Sequence, residues 1–295
     1  MNEFSAALDS GRFVVTGELN PPKGTDLAGL EASAQLLKDW LDAVNLTDSY
    51  TARMTMSPLA PALRVRDIGV TPILQVTGRD RNRIAIQADL LSTYALGLDN
   101  VVCMSGDDPA AGDHPDAKAV FDLGAIALLE AVSALNGGRD LSGNALSGST
   151  DFCAGAVANP GADDLPKEIE RLGEKVAAGA RFIQTQPVYD LADFEPFIQA
   201  SANLNVHILA GIIPLKSVAM ARHLNDNVPG IKVPDAIIRQ LDAADDLVAT
   251  SLEIAAETIN ALRNVCVGVH IMAIGWNQHI PTILQMAGVP APDRG

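Results

Sequence analysis

The amino-acid sequence predicts a single (β/α)8 barrel, and three observations support that prediction. Eight short apolar segments alternate with segments of helical spacing along the chain. The strand-like segments are nearly continuous apolar runs, which is typical of parallel strands that are covered on both faces. The length of 295 residues suits one barrel domain spanning residues 1–295, because such barrels commonly need about 250 residues.

The predicted elements follow one another in strict alternation. The strands are expected at residues 13–19, 43–47, 72–76, 100–104, 152–157, 182–186, 206–211 and 267–272. The helices are expected at residues 27–40, 58–67, 82–95, 123–135, 165–178, 191–202, 217–224, 234–264 (as two helices) and 280–287. Pro21 and Pro22 end the first strand, and Asn82 can cap the helix that follows the third. A doubly wound open sheet is the alternative, but the sequence lacks the Gly-rich turn that normally follows its first strand.

Charge and cysteine content exclude several classes of protein. The chain carries 36 acidic and 21 basic residues, a net charge of −15, whereas nucleic-acid and anionic-membrane surfaces need clustered Lys and Arg. Its 3 cysteines form no C-x-x-C pair, so neither a zinc site nor a disulfide framework is predicted. The first residues lack the pattern of a signal peptide, and no apolar stretch is long enough to span a bilayer. We therefore expect a cytoplasmic protein without a metal site.

Polar side chains are predicted to gather at the C-terminal ends of the strands, where barrel enzymes place their active sites. They are Glu18, Thr47, Asp48, Gln75, Thr77, Ser105, Asp107, Asn159, Gln184 and Gln186. A long loop at residues 105–122 leaves the same face and is expected to act as a lid or binding loop. So many amides and hydroxyls suit a flat heterocycle such as a flavin or a pterin.

Glu18 stands at the end of an apolar strand, in the stretch "TGELNPP". A carboxyl group walled by apolar residues and prolines is desolvated, which raises its pKa and suits it to general acid catalysis. The alternative is that Glu18 caps a loop or pairs with Lys23.

Several segments, in order, resemble the methylenetetrahydrofolate reductase family. They are "TGELNPP", "VNLTDSYT", "PILQVTGRDRNR", "VVCMSGDDP", "AGARFIQTQPVYD" and "LAGIIPL". The resemblance covers nearly the whole chain and implies a (β/α)8 barrel that reduces 5,10-methylenetetrahydrofolate to 5-methyltetrahydrofolate. It implies FAD as cofactor and NADH or NADPH as reductant. Variants that use FMN, or pass hydride directly from the nicotinamide without flavin, stay open.

The resemblance also implies roles for individual residues. Glu18 matches the general acid that protonates N10 of the folate, and Asp107 matches a catalytic and substrate-binding aspartate close to both pterin and flavin. Gln186 matches a folate contact, and Gln184, on the same side of the strand, shares that expectation. Thr47 matches a threonine beside the flavin.

The remaining expected cofactor contacts are Gln75, Ser105, Asn159, Lys175, Arg79 and Arg81. Lys175 matches a basic residue near the cofactor phosphates. Arg79 and Arg81 are expected to bind a diphosphate or the folate glutamate tail, or else to pair with Asp80 and Asp89.

The sequence departs from the family pattern at several cofactor positions. Asn159 stands where the family has an aromatic residue, Ile73 where it has a histidine, and Trp276 where it has an arginine. These departures leave a second class of function open: a non-catalytic folate- or flavin-binding subunit of a larger reductase complex. A reductase acting on a related tetrahydropterin is a third possibility. A homo-oligomer is also compatible with the sequence.

Overall fold

The eight strands close into an all-parallel barrel in the order β1 to β8, which confirms the predicted fold class. The computed structural model describes residues 2–292. Each predicted strand is present, and its ends differ from the prediction by one residue at most. The strands are β1 (Val14–Leu19), β2 (Ala43–Leu46), β3 (Thr71–Thr77), β4 (Asn100–Met104), β5 (Cys153–Ala158), β6 (Phe182–Pro187), β7 (His207–Ile212) and β8 (Gly268–Ile271).

Helices surround the barrel and follow the predicted order. They are α1 (Glu3–Asp9), α2 (Ala28–Leu37), α3 (Leu59–Ile68), α4 (Arg83–Ala95), α5 (Ala125–Asn136), α6 (Leu165–Ala177), α7 (Leu191–Ser201), α8 (Val218–Asn227), α9 (Asp235–Asp242), α10 (Leu247–Leu262) and α11 (Ile280–Met286). The predicted helical segment 234–264 is two helices, α9 and α10, as expected. Asn82 caps α4, since its side chain accepts hydrogen bonds from the N–H groups of Ile84 and Ala85.

Helix α1 was not predicted, and it closes the N-terminal end of the barrel. Phe4 and Leu8 of α1 are buried against the lowest layer of inward-facing side chains, which includes Phe182. The Phe4 and Phe182 rings meet edge to face with centroids 5.1 Å apart, a favoured aromatic geometry. With only seven residues, α1 is too short to show a helical period in the sequence.

The main hydrophobic core lies between the outer face of the strands and the surrounding helices. This arrangement covers the barrel wall on both sides, which explains why the strands read as continuous apolar runs. The lower part of the barrel interior is also apolar. The upper part of the interior is polar, so the polar residues are concentrated toward the C-terminal ends of the strands.

One irregularity lies beside the barrel mouth. The pairing of β6 with β7 shifts register between Gln184 and Pro187, and the β6 backbone approaches β7 closely at Gly211. A Cβ atom on Gly211 would lie 2.3 Å from the carbonyl oxygen of Thr185, so this approach requires glycine. The register shift therefore falls after Gln184, in the part of β6 that carries Gln186.

Within residues 2–292, no helix is long and apolar enough to cross a membrane.

Candidate active site

Glu18 lies on β1 near the mouth of the barrel, with 22% of its side chain accessible. Desolvation raises its pKa from 4.5 to about 7, and a hydrogen bond from Gln75 partly opposes the rise. Lys23 pairs with Asp113, so the alternative ion pair between Glu18 and Lys23 is not formed. Near neutral pH, Glu18 is therefore balanced between its protonated and ionised forms, which suits a general acid.

Gln75 is the nearest hydrogen-bonding partner of Glu18. Its Nε2 donates to Glu18 Oε2 at 3.1 Å, although the sequence suggested only a cofactor contact for this residue. Glu18 is on β1 and Gln75 is on β3, and inward-facing residues of alternate barrel strands share a layer. Because Oε1 of Glu18 has no hydrogen bond to any residue in 2–292, it is the oxygen available to carry a transferable proton.

A buried polar layer lies directly below Glu18, one step toward the N-terminal end of the barrel. It consists of Thr16, Asn45, Gln184 and His270, which are all almost fully buried. Asn45 and Gln184 exchange two amide hydrogen bonds, at 2.7 and 3.1 Å. His270 Nδ1 lies 3.0 Å from Thr16 Oγ1 and 3.3 Å from Gln184 Nε2. The layer is a connected network that supports the acid from beneath.

Two features of this layer were not found by sequence reasoning. The amide of Gln184 is committed to Asn45 and His270, one layer below the mouth, so its expected substrate contact stays a prediction. Sequence reasoning assigned no role to His270, yet its Nε2 lies 4.0 Å from Glu18 Oε2. The signal that could have identified His270 is its position on the last strand. There it pairs in register with Thr16, two residues before Glu18.

The expected substrate residues Asp107 and Gln186, and the expected cofactor contact Ser105, lie at the mouth. Asp107 and Ser105 are exposed on the loop after β4, and Gln186 is half-buried at the end of β6. The neighbouring Asp108, not Asp107, caps the short turn that begins at Pro109 by accepting from Ala110 N. Asp107 is therefore not used as a turn cap and remains accessible to a ligand.

The two arginines expected to bind a diphosphate are already paired with carboxylates. Arg79 is buried and makes a two-pronged contact with Asp80, at 2.6 to 3.0 Å. Arg81 lies between Asp48 and Asp89, at 2.5 and 2.9 Å. The alternative of local pairing with Asp80 and Asp89 is thus what the structure contains.

The other expected cofactor residues are also engaged within the protein. Lys175 is buried, donates to the carbonyl oxygen of Val157 at 2.7 Å, and lies 3.9 Å from Glu168. Burial lowers the Lys175 pKa, the nearby Glu168 partly offsetting the effect. Thr47 donates to Asn20 Oδ1 at 3.0 Å.

Asn159, at the position of the family aromatic, donates to the Pro229 carbonyl at 3.2 Å and accepts from Gly161 N at 3.2 Å. Arg79, Arg81 and Lys175 each already have an internal partner, so a flavin diphosphate at these cations would have to compete with those contacts. Their expected cofactor contacts stay predictions. Within residues 2–292, no three His, Cys, Asp or Glu side chains are grouped to hold a metal ion.

Three mouth loops are joined at one carboxylate, Asp113. Its Oδ1 accepts from Met54 N at 2.9 Å and lies 3.0 Å from His114 Nδ1, and its Oδ2 pairs with Lys23. The hydrogen bond from Lys23 is the largest influence lowering the pKa of Asp113. Asp113 thus links the loops after β1, β2 and β4, including the loop that carries Asp107.

Replacing Asp113 by alanine is expected to loosen this rim. The change removes the acceptor shared by Lys23 and Met54 N, so amide exchange in residues 50–56 should become several-fold faster by hydrogen–deuterium exchange. Asp116→Ala, an exposed carboxylate in the same loop, is the matched control. Equal protection of residues 50–56 in both variants would show that Asp113 does not hold the loops together.

Replacing Gln75 by leucine is expected to raise the Glu18 pKa above about 7, because the change removes a donor to the ionised carboxylate. A hydrogen bond to a charged group is worth about 1.5–3 kcal/mol, so we expect the pKa to rise by about one to two. A carbon-13 NMR titration of the Glu18 carboxyl group measures it. Gln285→Leu, at an exposed helix position, is the control; an unshifted titration in Gln75→Leu would contradict the expected contact.

Comparison with known proteins agrees with the sequence resemblance. The family model described as methylenetetrahydrofolate reductase matches residues 3–288. Methylenetetrahydrofolate reductases 1 and 2 of Schizosaccharomyces pombe are 23% and 24% identical to this chain, in alignments of 245 and 240 residues that cover 76% and 73% of this chain. The chain spans only 38% and 35% of those two relatives.

Solved structures show the same fold at low sequence identity. An uncharacterised protein from Clostridium thermocellum, which binds two copies of 5-methyl-5,6,7,8-tetrahydrofolic acid, superposes with a TM-score of 0.66 at 16% identity. That match covers 97% of this chain and 99% of the other. EDTA monooxygenase from Chelativorans sp. BNC1 has a TM-score of 0.57 at 13% identity, over 94% and 95% of the two chains. At these identities the likeness concerns the fold.

Proposed function

This chain belongs to the methylenetetrahydrofolate reductase family, and we propose that it reduces 5,10-methylenetetrahydrofolate to 5-methyltetrahydrofolate with Glu18 as general acid. The observation that carries the proposal is Glu18 itself. It is a carboxyl group at the C-terminal end of a barrel strand. Desolvation raises the pKa of this carboxyl group to about 7. The binding of a methyltetrahydrofolate by the C. thermocellum protein of the same fold supports folate binding by this chain.

The reaction needs a proton at one atom and a hydride at another. In the proposed mechanism, Glu18 donates its proton to N10 of the folate, the bond between N10 and the bridging carbon breaks, and an iminium forms at N5. Hydride transfer to that carbon then gives the 5-methyl group. The carboxylate that remains on Glu18 is stabilised by the Gln75 amide, which donates to Oε2.

The residues at the mouth provide groups to hold the pterin. Asp107 can accept from its amino-pyrimidine edge, and the amide of Gln186 can both donate and accept. Both side chains retain accessible surface at the ends of β4 and β6. The contacts of Asp113 with Lys23 and Met54 would hold the Asp107 loop against the loops after β1 and β2 at the mouth.

The hydride can come from a reduced flavin or directly from a nicotinamide. The family resemblance implies FAD, which would supply hydride accepted from NADH or NADPH, but the pairing of Arg79 with Asp80 and of Arg81 with Asp48 opposes a diphosphate at those arginines. NADH and NADPH carry a diphosphate as well, so this pairing does not choose between the flavin route and a second candidate, in which the nicotinamide donates hydride directly to the folate without a flavin.

The absorbance spectrum of the purified chain distinguishes these routes. A yellow protein that is bleached by NADH or NADPH under anaerobic conditions, and recovers on adding methylenetetrahydrofolate, would support the flavin route. A colourless protein that converts methylenetetrahydrofolate to 5-methyltetrahydrofolate with NADH or NADPH alone would support direct transfer.

The same experiment tests the non-catalytic alternative. A protein that binds 5-methyltetrahydrofolate but forms none, with either nicotinamide and with or without added FAD or FMN, would overturn the proposed reductase activity. It would favour a folate-binding subunit that depends on a partner for electrons. Repeating the assay with a methylene-tetrahydromethanopterin tests the choice of one-carbon carrier.

A further inference from the structure

His270 is a buried histidine that takes no part in the proposed steps of proton and hydride transfer. It lies on β8 with 4% of its side chain accessible. Its two ring nitrogens face different neighbours: Nδ1 faces Thr16 and Gln184, and Nε2 faces Glu18. A neutral imidazole carries one proton, so these neighbours decide which nitrogen donates and which accepts.

The Asn45–Gln184 amide pair determines which end of the Gln184 amide faces His270 Nδ1. Asn45 Nδ2 donates to Gln184 Oε1 at 2.7 Å, so the carbonyl end of Gln184 is occupied. The NH₂ end of Gln184 then lies 3.3 Å from His270 Nδ1. An N–H on Nδ1 would oppose this donor, whereas a bare Nδ1 accepts from it. Thr16 Oγ1, at 3.0 Å, can donate to the same nitrogen.

We propose that His270 is a positioning residue, held with its proton on Nε2 by the Asn45–Gln184 pair so that its N–H is directed toward Oε2 of Glu18. The inference rests on the proposed role of Glu18 as the acid. Gln75 and His270 then offer two donors to the same oxygen, at 3.1 and 4.0 Å. This arrangement leaves the transferable proton on Oε1.

The distance of 4.0 Å exceeds that of a hydrogen bond. Contacts of this kind often tighten only when charge develops on the reacting group. When Glu18 loses its proton, the new negative charge attracts the Nε2–H of His270. Burial lowers the His270 pKa to about 3, so the ring stays neutral near pH 7 and does not compete for the proton.

Nitrogen-15 NMR of the histidine side chains reads the tautomer directly. The chain has 5 histidines, so the signals of His270 are assigned by their loss in His270→Gln. We expect a neutral ring at pH 7 with the proton on Nε2, and a weaker preference in Gln184→Leu. A proton on Nδ1 in the wild-type protein would overturn the inference, and this result does not depend on any reductase activity.

A pair of variants separates positioning from mere packing. His270→Gln keeps an N–H donor near the position of Nε2, whereas His270→Leu fills the space without one. We expect His270→Leu to slow the step that consumes methylenetetrahydrofolate about ten- to hundredfold, the range of one lost hydrogen bond to a charged group. The pH midpoint of that step should move upward, since the carboxylate loses a donor.

His270→Gln should restore much of the rate and return the pH midpoint toward that of the wild type. Among the described residues, Glu18 is the only carboxylate within 4.0 Å of a His270 ring nitrogen, so the shift would report on that pair. Equal rates and equal midpoints in the Leu and Gln variants would contradict the positioning role. If the wild-type protein does not turn over methylenetetrahydrofolate, the proposed function fails, while the NMR result still decides the tautomer.

Discussion

Glu18→Gln is expected to lower the rate of methylenetetrahydrofolate reduction by about 10²–10⁴-fold, the usual contribution of a general acid. Glutamine keeps the shape and the acceptor oxygen for Gln75 but has no acidic proton to give to N10. The loss should appear in single-turnover measurements of 5-methyltetrahydrofolate formation. Binding of 5-methyltetrahydrofolate should change much less, because the product needs no proton.

The pH dependence of the wild-type reaction follows from the same group. Because desolvation raises the Glu18 pKa to about 7, the folate-consuming step should be fastest below that pH. Its rate should fall as the pH rises through about 7 and the acid ionises. A rate that is flat between pH 6 and 8.5, or normal turnover by Glu18→Gln, would remove Glu18 from the role of acid.

Measuring the free energy of unfolding of Glu18→Gln distinguishes an effect on catalysis from an effect on stability. The pKa of Glu18 rises from 4.5 in the unfolded chain to about 7 in the native state, so the native state binds more protons between these pH values. Stability is therefore lost as the pH rises through this window. Glutamine does not ionise, so Glu18→Gln does not lose this stability. Its free energy of unfolding at pH 8 should exceed that of the wild type by up to roughly 3 kcal/mol. Glu130→Gln, on the exposed side of α5, is the matched control and should gain nothing.

Phe182→Ala is expected to produce the largest loss of stability, about 3–5 kcal/mol in the free energy of unfolding. The Phe182 side chain is fully buried at the base of the barrel, where it contacts Phe4 of α1. Its ring also covers Gly155, whose Cβ position lies 2.4 Å from the ring. Alanine would leave a cavity that the rigid barrel wall cannot close.

Urea denaturation followed by circular dichroism measures this effect. Phe121→Ala, at a phenylalanine that is 41% exposed, is the matched control and should change stability by about 0.5 kcal/mol or less. A double variant with Phe4→Ala should cost less than the sum of the single changes, because the two rings share one contact. Similar stabilities of Phe182→Ala and Phe121→Ala would show that α1 does not seal the barrel in solution.

The fold was largely predictable because its signal is local. Each strand is a short apolar run and each helix has its own period, so the eight β/α units could be counted without knowing their contacts. Helix α1 escaped prediction because it is short and gains stability from packing against Phe182, a residue distant in sequence. The family was also evident from the motifs at the strand ends, and the whole-chain match confirms it.

The site was predictable only in part. The sequence alone determined that a glutamate ends the first strand of a parallel barrel, among amides and hydroxyls suited to a pterin. Only the tertiary structure decided what surrounds that glutamate: Gln75 from β3, His270 from β8, and an amide pair from β2 and β6 that orients the imidazole. It also decided that Arg79 and Arg81 are held by carboxylates. The physical reason is that pKa and hydrogen-bond direction depend on neighbours brought together by barrel closure, and their separation along the chain hides those contacts from any local pattern.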